Sequence, residues 1–163
     1  MNKLILLCGI SGSGKSAYSS KIIQENPNKY VRVSRDKIRE MLYSYTEDSI
    51  KNYYNRKDIY ILEKQVTFVE NILIEEFLKT KSVVVDATHL KAKYLNKFNV
   101  FSPDEIEIVF FDISYEEARK RDNARVRKVG EVIITKQYEN YLNLKKFLTS
   151  NKLKFDYICK EIK

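Results

Sequence analysis

Lys3-Leu4-Ile5-Leu6-Leu7-Cys8, a nearly unbroken apolar run, leads directly into Gly9-Ile10-Ser11-Gly12-Ser13-Gly14-Lys15-Ser16. An apolar run of this length reads as a strand buried on both faces, like the inner strands of parallel sheets. The residues after it match GxxxxGK[ST] at every defined position. That pattern between a strand and a helix is a phosphate-binding loop. Its glycines permit dihedrals and close approaches that a Cβ forbids. Free backbone amides and the N-terminus of the next helix then face an anion. Lys15 is expected on the β- and γ-phosphates and the Ser16 hydroxyl on Mg²⁺. The loop therefore predicts a nucleoside triphosphate site built from Gly9, Ser11, Gly12, Ser13, Gly14, Lys15 and Ser16. It does not say what receives the phosphate.

Outward from the loop, strand and helix patterns alternate. A helix over Lys15–Gln24 stops at Asn26-Pro27. Tyr30–Ser34 is short and β-branched, and a helix follows from Arg35 to about Tyr43 with Ser34 at its N-cap. Asn55–Lys79 carries Ile59, Leu62, Val66, Val69, Leu73 and Phe77 at helical spacing. Ser82–Val85 reads as a third strand ending at Asp86, Ile106–Phe111 as a fourth, and Phe155–Ile162 as a weaker last one. Glu116–Arg127 and Thr135–Leu148 read as helices. The alternation predicts one α/β domain over residues 1–163: a parallel sheet of about five strands with helices on both faces. Ligands of such sheets sit beyond the carboxyl ends of the strands.

Composition narrows the class. The chain has 163 residues, 44% hydrophobic and 32% charged, with four glycines and two prolines. That excludes a wholly disordered chain and a collagen, and argues against a many-turned sandwich or barrel. No apolar run approaches a membrane span. The apolar N-terminus is too short for a signal peptide and runs into the phosphate loop. Cys8 and Cys159 stand near opposite ends of the chain, with no metal-ligand spacing. They are read as reduced and the compartment as intracellular, cytoplasmic. The net charge of +8 favours a polyanionic partner, although a lysine-rich soluble protein has the same balance.

Asp36 and Arg39 follow the second predicted strand, three residues apart, so they share a helix face. A carboxylate there can take a proton from an attacking hydroxyl, and an arginine can hold an anion on the same acceptor. Asn26-Pro27-x-x-Tyr30-x-x-x-x-Arg35-Asp36-x-x-Arg39, just after this loop, resembles the 5′-kinase domain of the phage polynucleotide kinase family. The resemblance runs from the N-terminus to about Tyr141. It implies a P-loop kinase fold. It also implies Asp36 as general base for a 5′-hydroxyl and Arg39 on the neighbouring 3′-phosphate. Asp86-Ala87-Thr88-His89 departs from the phage enzyme's Asp-Thr-Asn, which puts its acid where Ala87 stands. It fits better the Asp-Ala-Thr-Asn of related P-loop kinases. Asp86 is expected on Mg²⁺ or on the acceptor, Thr88 on the acceptor, and His89 as a local hydrogen-bonding residue.

Arg119-Lys120-Arg121-Asp122-Asn123-Ala124-Arg125 follows the fourth strand. It is similar to the helical lid of such kinases, spanning about residues 114–134. Arg121 and Arg125, one helical turn apart, are expected over the phosphates, Arg125 with a catalytic role beside Asp36 and Lys15. The resulting expectation is ATP- and Mg²⁺-dependent phosphate transfer to the 5′-hydroxyl of DNA or RNA. Tyr18, Tyr43, Tyr45, Tyr53 and Tyr54 are available to stack on bases. A C-terminal phosphatase module like the phage enzyme's is not expected in these residues. Two other readings stay open. One is a kinase of another alcohol: a small metabolite, a nucleotide sugar or a hydroxymethylated base. The other is a nucleotide-dependent ATPase or switch. Oligomeric state is not readable.

Overall fold

The computed structural model describes residues 1–44, 53–125 and 128–162. Chain order is β1 (Lys3–Cys8), α1 (Lys15–Glu25), β2 (Tyr30–Ser34), α2 (Arg35–Tyr43), α3 (Ile59–Leu78), β3 (Ser82–Asp86), α4 (Ala92–Leu95), a 3₁₀ turn (Asn96–Val100), β4 (Glu105–Phe111), α5 (Tyr115–Asn123), α6 (Glu131–Ser150) and β5 (Ile158–Ile162). The strands form one parallel sheet in the order β2-β3-β1-β4-β5. β1 is central, which explains why its run is apolar without alternation: both of its faces are covered.

The coverage is unequal. Ile5, Leu7, Val84, Val109 and Phe111 face α1, which contributes Tyr18 and Ile22. Leu4, Leu6, Cys8, Val83, Val85 and Ile108 face the larger layer. That layer takes Ile38 from α2, Val66 and Ile74 from α3, Ala118 from α5, and Ile134, Tyr141 and Leu144 from α6. Cys8 is fully buried and packs as a small hydrophobe, and Cys159 is exposed; both are free thiols. Among the described residues no helix is long and apolar enough to cross a membrane.

Several expected boundaries move. The long helix begins at Ile59 rather than Asn55, and its buried stripe is Leu62, Val66, Glu70 and Ile74, with Val69, Leu73 and Phe77 on its flank. Ser34 occupies the N-cap position of α2, yet its side chain makes no capping bond. Residues 92–100, where the sequence pattern predicts no regular element, form α4 and the 3₁₀ turn. The helix expected over Glu116–Arg127 is Tyr115–Asn123, because Asp122 turns back on the chain after it. β5 is confined to Ile158–Ile162.

Candidate active site

The carboxyl ends of β1, β2 and β3 open into a cavity of about 900 Å³. Its lining comes from the phosphate loop, the β2–α2 junction, Asp86–Thr88, α5, Arg125 and residues from 128 to 137. Eight of the lining side chains are basic and two are acidic. So unbalanced a wall is costly to leave without an anion.

The phosphate loop has the backbone its sequence implies. Gly12 and Gly14 have φ of +81° and +97°. At Gly9 a Cβ would lie 2.6 Å from Ser13 Oγ and 3.0 Å from Phe111 Cβ. Gly14 caps α1, and Lys15 and Ser16 open that helix against the cavity. Lys15 is folded inward, its Nζ donating to the Ile10 carbonyl at 2.8 Å and to Ser13 Oγ at 3.3 Å. Burial pushes its pKa down to about 8, against the pull of the Asp86 charge. Gln137 on α6 accepts a hydrogen bond from the Ser11 amide at 2.7 Å. No sequence pattern pointed to Gln137; only folding brings α6 to the loop.

Asp36 and Arg39 line the same cavity, with Arg39 Nη1 2.9 Å from Asp36 Oδ1. Arg39 is held from behind. Its Nε and Nη2 donate to the two oxygens of Glu63, each at 2.8 Å. Glu63 also accepts from Tyr53 Oη at 2.8 Å and from Arg35 Nη2 at 2.9 Å. Arg35 Nη1 reaches the buried Glu70 at 2.5 Å. Burial raises the Glu63 pKa, but the Arg39 hydrogen bond and charge outweigh it and hold the group at about 2. Glu63, Glu70 and Arg35 had no role in the sequence reading. The available signal was Glu70, a charge at the i+8 position of the stripe begun by Leu62.

Asp86 is paired rather than open. Its Oδ2 lies 2.5 Å from Arg32 Nη2 and accepts from Ser19 Oγ at 3.4 Å. Both contacts use Oδ2. Ser34 and Asp86 are partners in the β2–β3 register, so Arg32, two residues back on β2, lies on the same face. Thr88 lines the cavity, and its carbonyl accepts from the Gly9 amide at 3.1 Å. His89 is buried at φ +46°, its Nδ1 2.9 Å from the Leu7 carbonyl, and burial pushes its pKa down to about 4. It is a structural hydrogen-bonding residue.

Arg121 and Arg125 both line the cavity, but not from one helix face. Arg121 lies in the last turn of α5, donating to Glu117 at 2.7 Å and to the Gly12 carbonyl at 3.4 Å. Arg125 stands beyond the helix end. Between them, buried Asp122 accepts the amides of Val129 and Gly130, both at 3.0 Å. Ala118 is fully buried, and a Cβ on Gly12 would lie 3.3 Å from its carbonyl. α5 is therefore packed on the phosphate loop. Among the tyrosines, Tyr18 packs edge-on against Phe111, and Tyr43 and Tyr53 sit in a small apolar cluster. Tyr54 lines the cavity, half exposed, 5.8 Å from the Arg39 guanidinium. Tyr45 lies outside the described residues.

A buried parallel sheet, a complete phosphate loop and a basic cavity at the strand ends define a nucleotide-binding P-loop domain with a kinase-like fold. The family model described as AAA_33, AAA domain, matches residues 4–143, and the chain belongs to that family. The chain is 30% identical, over 159 residues, to a protein of Autographa californica nuclear polyhedrosis virus whose name describes a bifunctional polynucleotide kinase/RNA ligase. The match covers 89% of this chain and 22% of that protein. Its fold is similar to a chain in the structure of the Pnkp1/Rnl/Hen1 RNA repair complex, with TM-score 0.75 and 25% identity. That match covers 96% of this chain and 47% of the other. Deoxyadenosine kinase from M. mycoides shares the fold at 16% identity and TM-score 0.65, with 100% and 91% of the two chains covered. The chain thus spans less than half the length of the viral and repair-complex proteins it matches.

Proposed function

We propose that this chain transfers the γ-phosphate of Mg²⁺-ATP to the 5′-hydroxyl of a polynucleotide. The observation that carries the reading is one cavity lined both by the phosphate loop and by the Asp36–Arg39 pair. A donor-phosphate seat and a carboxylate beside an anion clamp are the two halves of a phosphoryl-transfer site. The similarity to a kinase/ligase and to a chain of an RNA repair complex supports a nucleic-acid acceptor over a small metabolite.

In this reading the backbone amides of Ser11–Ser16 hold the triphosphate, with Lys15 released from the Ile10 carbonyl onto it. Arg121 and Arg125 neutralise charge on the transferred group. Ser16 Oγ and Asp86 are hard oxygen donors on the cavity wall, the kind Mg²⁺ takes beside phosphates, and Asp86 Oδ1 is the oxygen not used by Arg32. When bound, that ion supplies charge neutralisation between donor phosphates. Glu63 occupies the Nε–Nη2 edge of Arg39 and so presents the Nη1–Nη2 edge to a phosphate. An acceptor phosphate seated there takes over Nη1 from Asp36, and the Asp36 carboxylate turns to the 5′-hydroxyl as general base. Thr88 borders the acceptor.

The test is transfer of labelled γ-phosphate from ATP to a panel of 5′-hydroxyl oligonucleotides, nucleoside 3′-monophosphates, plain nucleosides and small alcohols. We expect label on oligonucleotides and 3′-monophosphates, far above plain nucleosides. Preferential labelling of a neutral small alcohol, or free phosphate release without transfer, overturns the reading.

A further inference from the structure

We infer that the lysine-rich surface around α4 binds the phosphate backbone of single-stranded nucleic acid, as a strip continuing outside the cavity. The inference rests on the polynucleotide reading of the cavity for its meaning, but its test does not depend on catalysis. From Ala87 to Pro103 the chain carries no acidic residue, while Lys91, Lys93 and Lys97 are all exposed. Folding adds two more lysines from far along the chain. The Lys154 amide donates to Asn96 Oδ1 at 2.8 Å, which lays exposed Lys152 and Lys154 beside the 3₁₀ turn. Among the described residues none of these five ammonium groups is taken up in an ion pair. Some lysines elsewhere on the molecule are paired, Lys37 with Glu40, Lys79 with Glu76 and Lys145 with Asp112, while others such as Lys64, Lys120 and Lys146 show no ion pair among the described residues. What sets the α4 lysines apart is their grouping round Tyr94.

An aromatic ring stands in the middle of the charges. Tyr94 is 41% exposed, with Lys93 Nζ 5.1 Å and Lys97 Nζ 5.3 Å from its ring centroid. Basic groups around an accessible aromatic ring are what a strand-tracking surface needs: cations for phosphates and a π-face for a base. The strip also adjoins the cavity. Thr88 lines the cavity wall and Lys91 follows three residues later, a span of at most about 11 Å. A strand whose first phosphate sits on Arg39 can then run past Thr88 onto the lysines of α4.

The experiment compares the wild-type chain with Lys91→Gln/Lys93→Gln/Lys97→Gln and, separately, with Tyr94→Ala. Binding of a fluorescent single-stranded oligonucleotide that already carries a 5′-phosphate, and so is no acceptor, is titrated over a range of salt. The triple variant should bind about tenfold more weakly at low salt, and its log Kd against log salt slope should shrink by about 2, near 0.7 per lost phosphate contact. Tyr94→Ala should weaken binding with the salt slope unchanged. In transfer assays the triple variant should raise KM for long oligonucleotides and leave the nucleoside 3′-monophosphate untouched. Unchanged Kd and salt slope in the triple variant overturn the proposal, whatever the catalytic result. Equal loss on the 3′-monophosphate and on long acceptors also overturns it, because that marks damage to the cavity. If binding falls as expected while no 5′-hydroxyl acceptor is labelled, the strip stands and the kinase reading falls.

Discussion

At the scale of single residues, the site depends on groups held away from their ordinary protonation or position. Lys15 is the clearest case. Burial lowers its pKa to about 8, so above that pH the empty protein holds it neutral. Triphosphate binding requires the ammonium form, and bound phosphates favour it. Affinity for Mg²⁺-ATP should therefore be flat below about pH 8 and weaken by up to about tenfold per pH unit above it. Calorimetric titration across pH checks this, and an affinity flat to about pH 10 contradicts it. Asp36→Asn removes the carboxylate proposed as general base and keeps the size. kcat should fall by about 10² to 10⁴-fold with ATP affinity nearly unchanged. A loss confined to ATP affinity would place Asp36 in the metal site instead. Glu63 acts through Arg39. With its pKa at about 2 in the folded state and the ordinary value of 4.5 unfolded, Glu63 contributes stability above pH 4.5 that is lost as pH falls toward 2. Glu63→Gln should flatten that acid limb in pH-dependent melting. It should also raise KM for 3′-phosphorylated acceptors while plain nucleosides, which make no use of Arg39, respond little.

At the scale of elements, the segment from α5 to α6 divides into a fixed part and a tethered part. α5 is anchored by Ala118 and packs on Gly12, so Arg121 stands on a rigid support. Arg125 lies past the helix end, where the chain is returned to α6 through the two amide bonds to Asp122. Asp122→Asn keeps the shape but replaces one acceptor by a donor, leaving one of those amides unsatisfied. An unmade buried bond costs about 1–3 kcal/mol. The melting temperature should drop, and KM for ATP should rise more than kcat falls, because Arg125 and Lys128 lose their support. Equal kinetics in a fully folded Asp122→Asn chain would show that the tether does not position the arginines. The helix expected through Arg127 ends at Asn123, Arg127 itself lying outside the described residues: charge spacing alone continues a helix past the point where the Asp122 carboxylate takes the following amides.

At the scale of the molecule, the two faces of the sheet are unequally secured. Among the described residues, α1 is the helix that covers one face, through Tyr18 and Ile22, and the same helix begins at the phosphate loop. A layer held by few apolar groups opens at lower free energy than the core. Ligand at the N-terminus of α1 should therefore stabilise that helix preferentially. In amide hydrogen exchange, Mg²⁺-ATP should slow α1 more than α3, whose Val66 and Ile74 are fully buried on the other face. A uniform change across both helices would contradict this.

What the sequence determined by itself is local and periodic. The apolar run before Gly9 dictated a central parallel strand, because only a strand covered on both faces lacks alternation. The loop motif dictated its own backbone, since Gly12 and Gly14 take positive φ. The Asp36–Arg39 spacing dictated a shared helix face, and the pair is 2.9 Å apart. What only the tertiary structure decided are pairings between elements distant in the chain. Glu63 was unremarked in a helix read for its apolar residues, yet it orients Arg39 from the facing helix. Arg32 reaches Asp86 because β2 and β3 are neighbours in register, although they lie 54 positions apart. Gln137 meets Ser11 across 126 positions. Sequence spacing measures distance along one helix or strand. Charges that meet across the strand ends are set by strand order and helix docking, which no single stretch encodes.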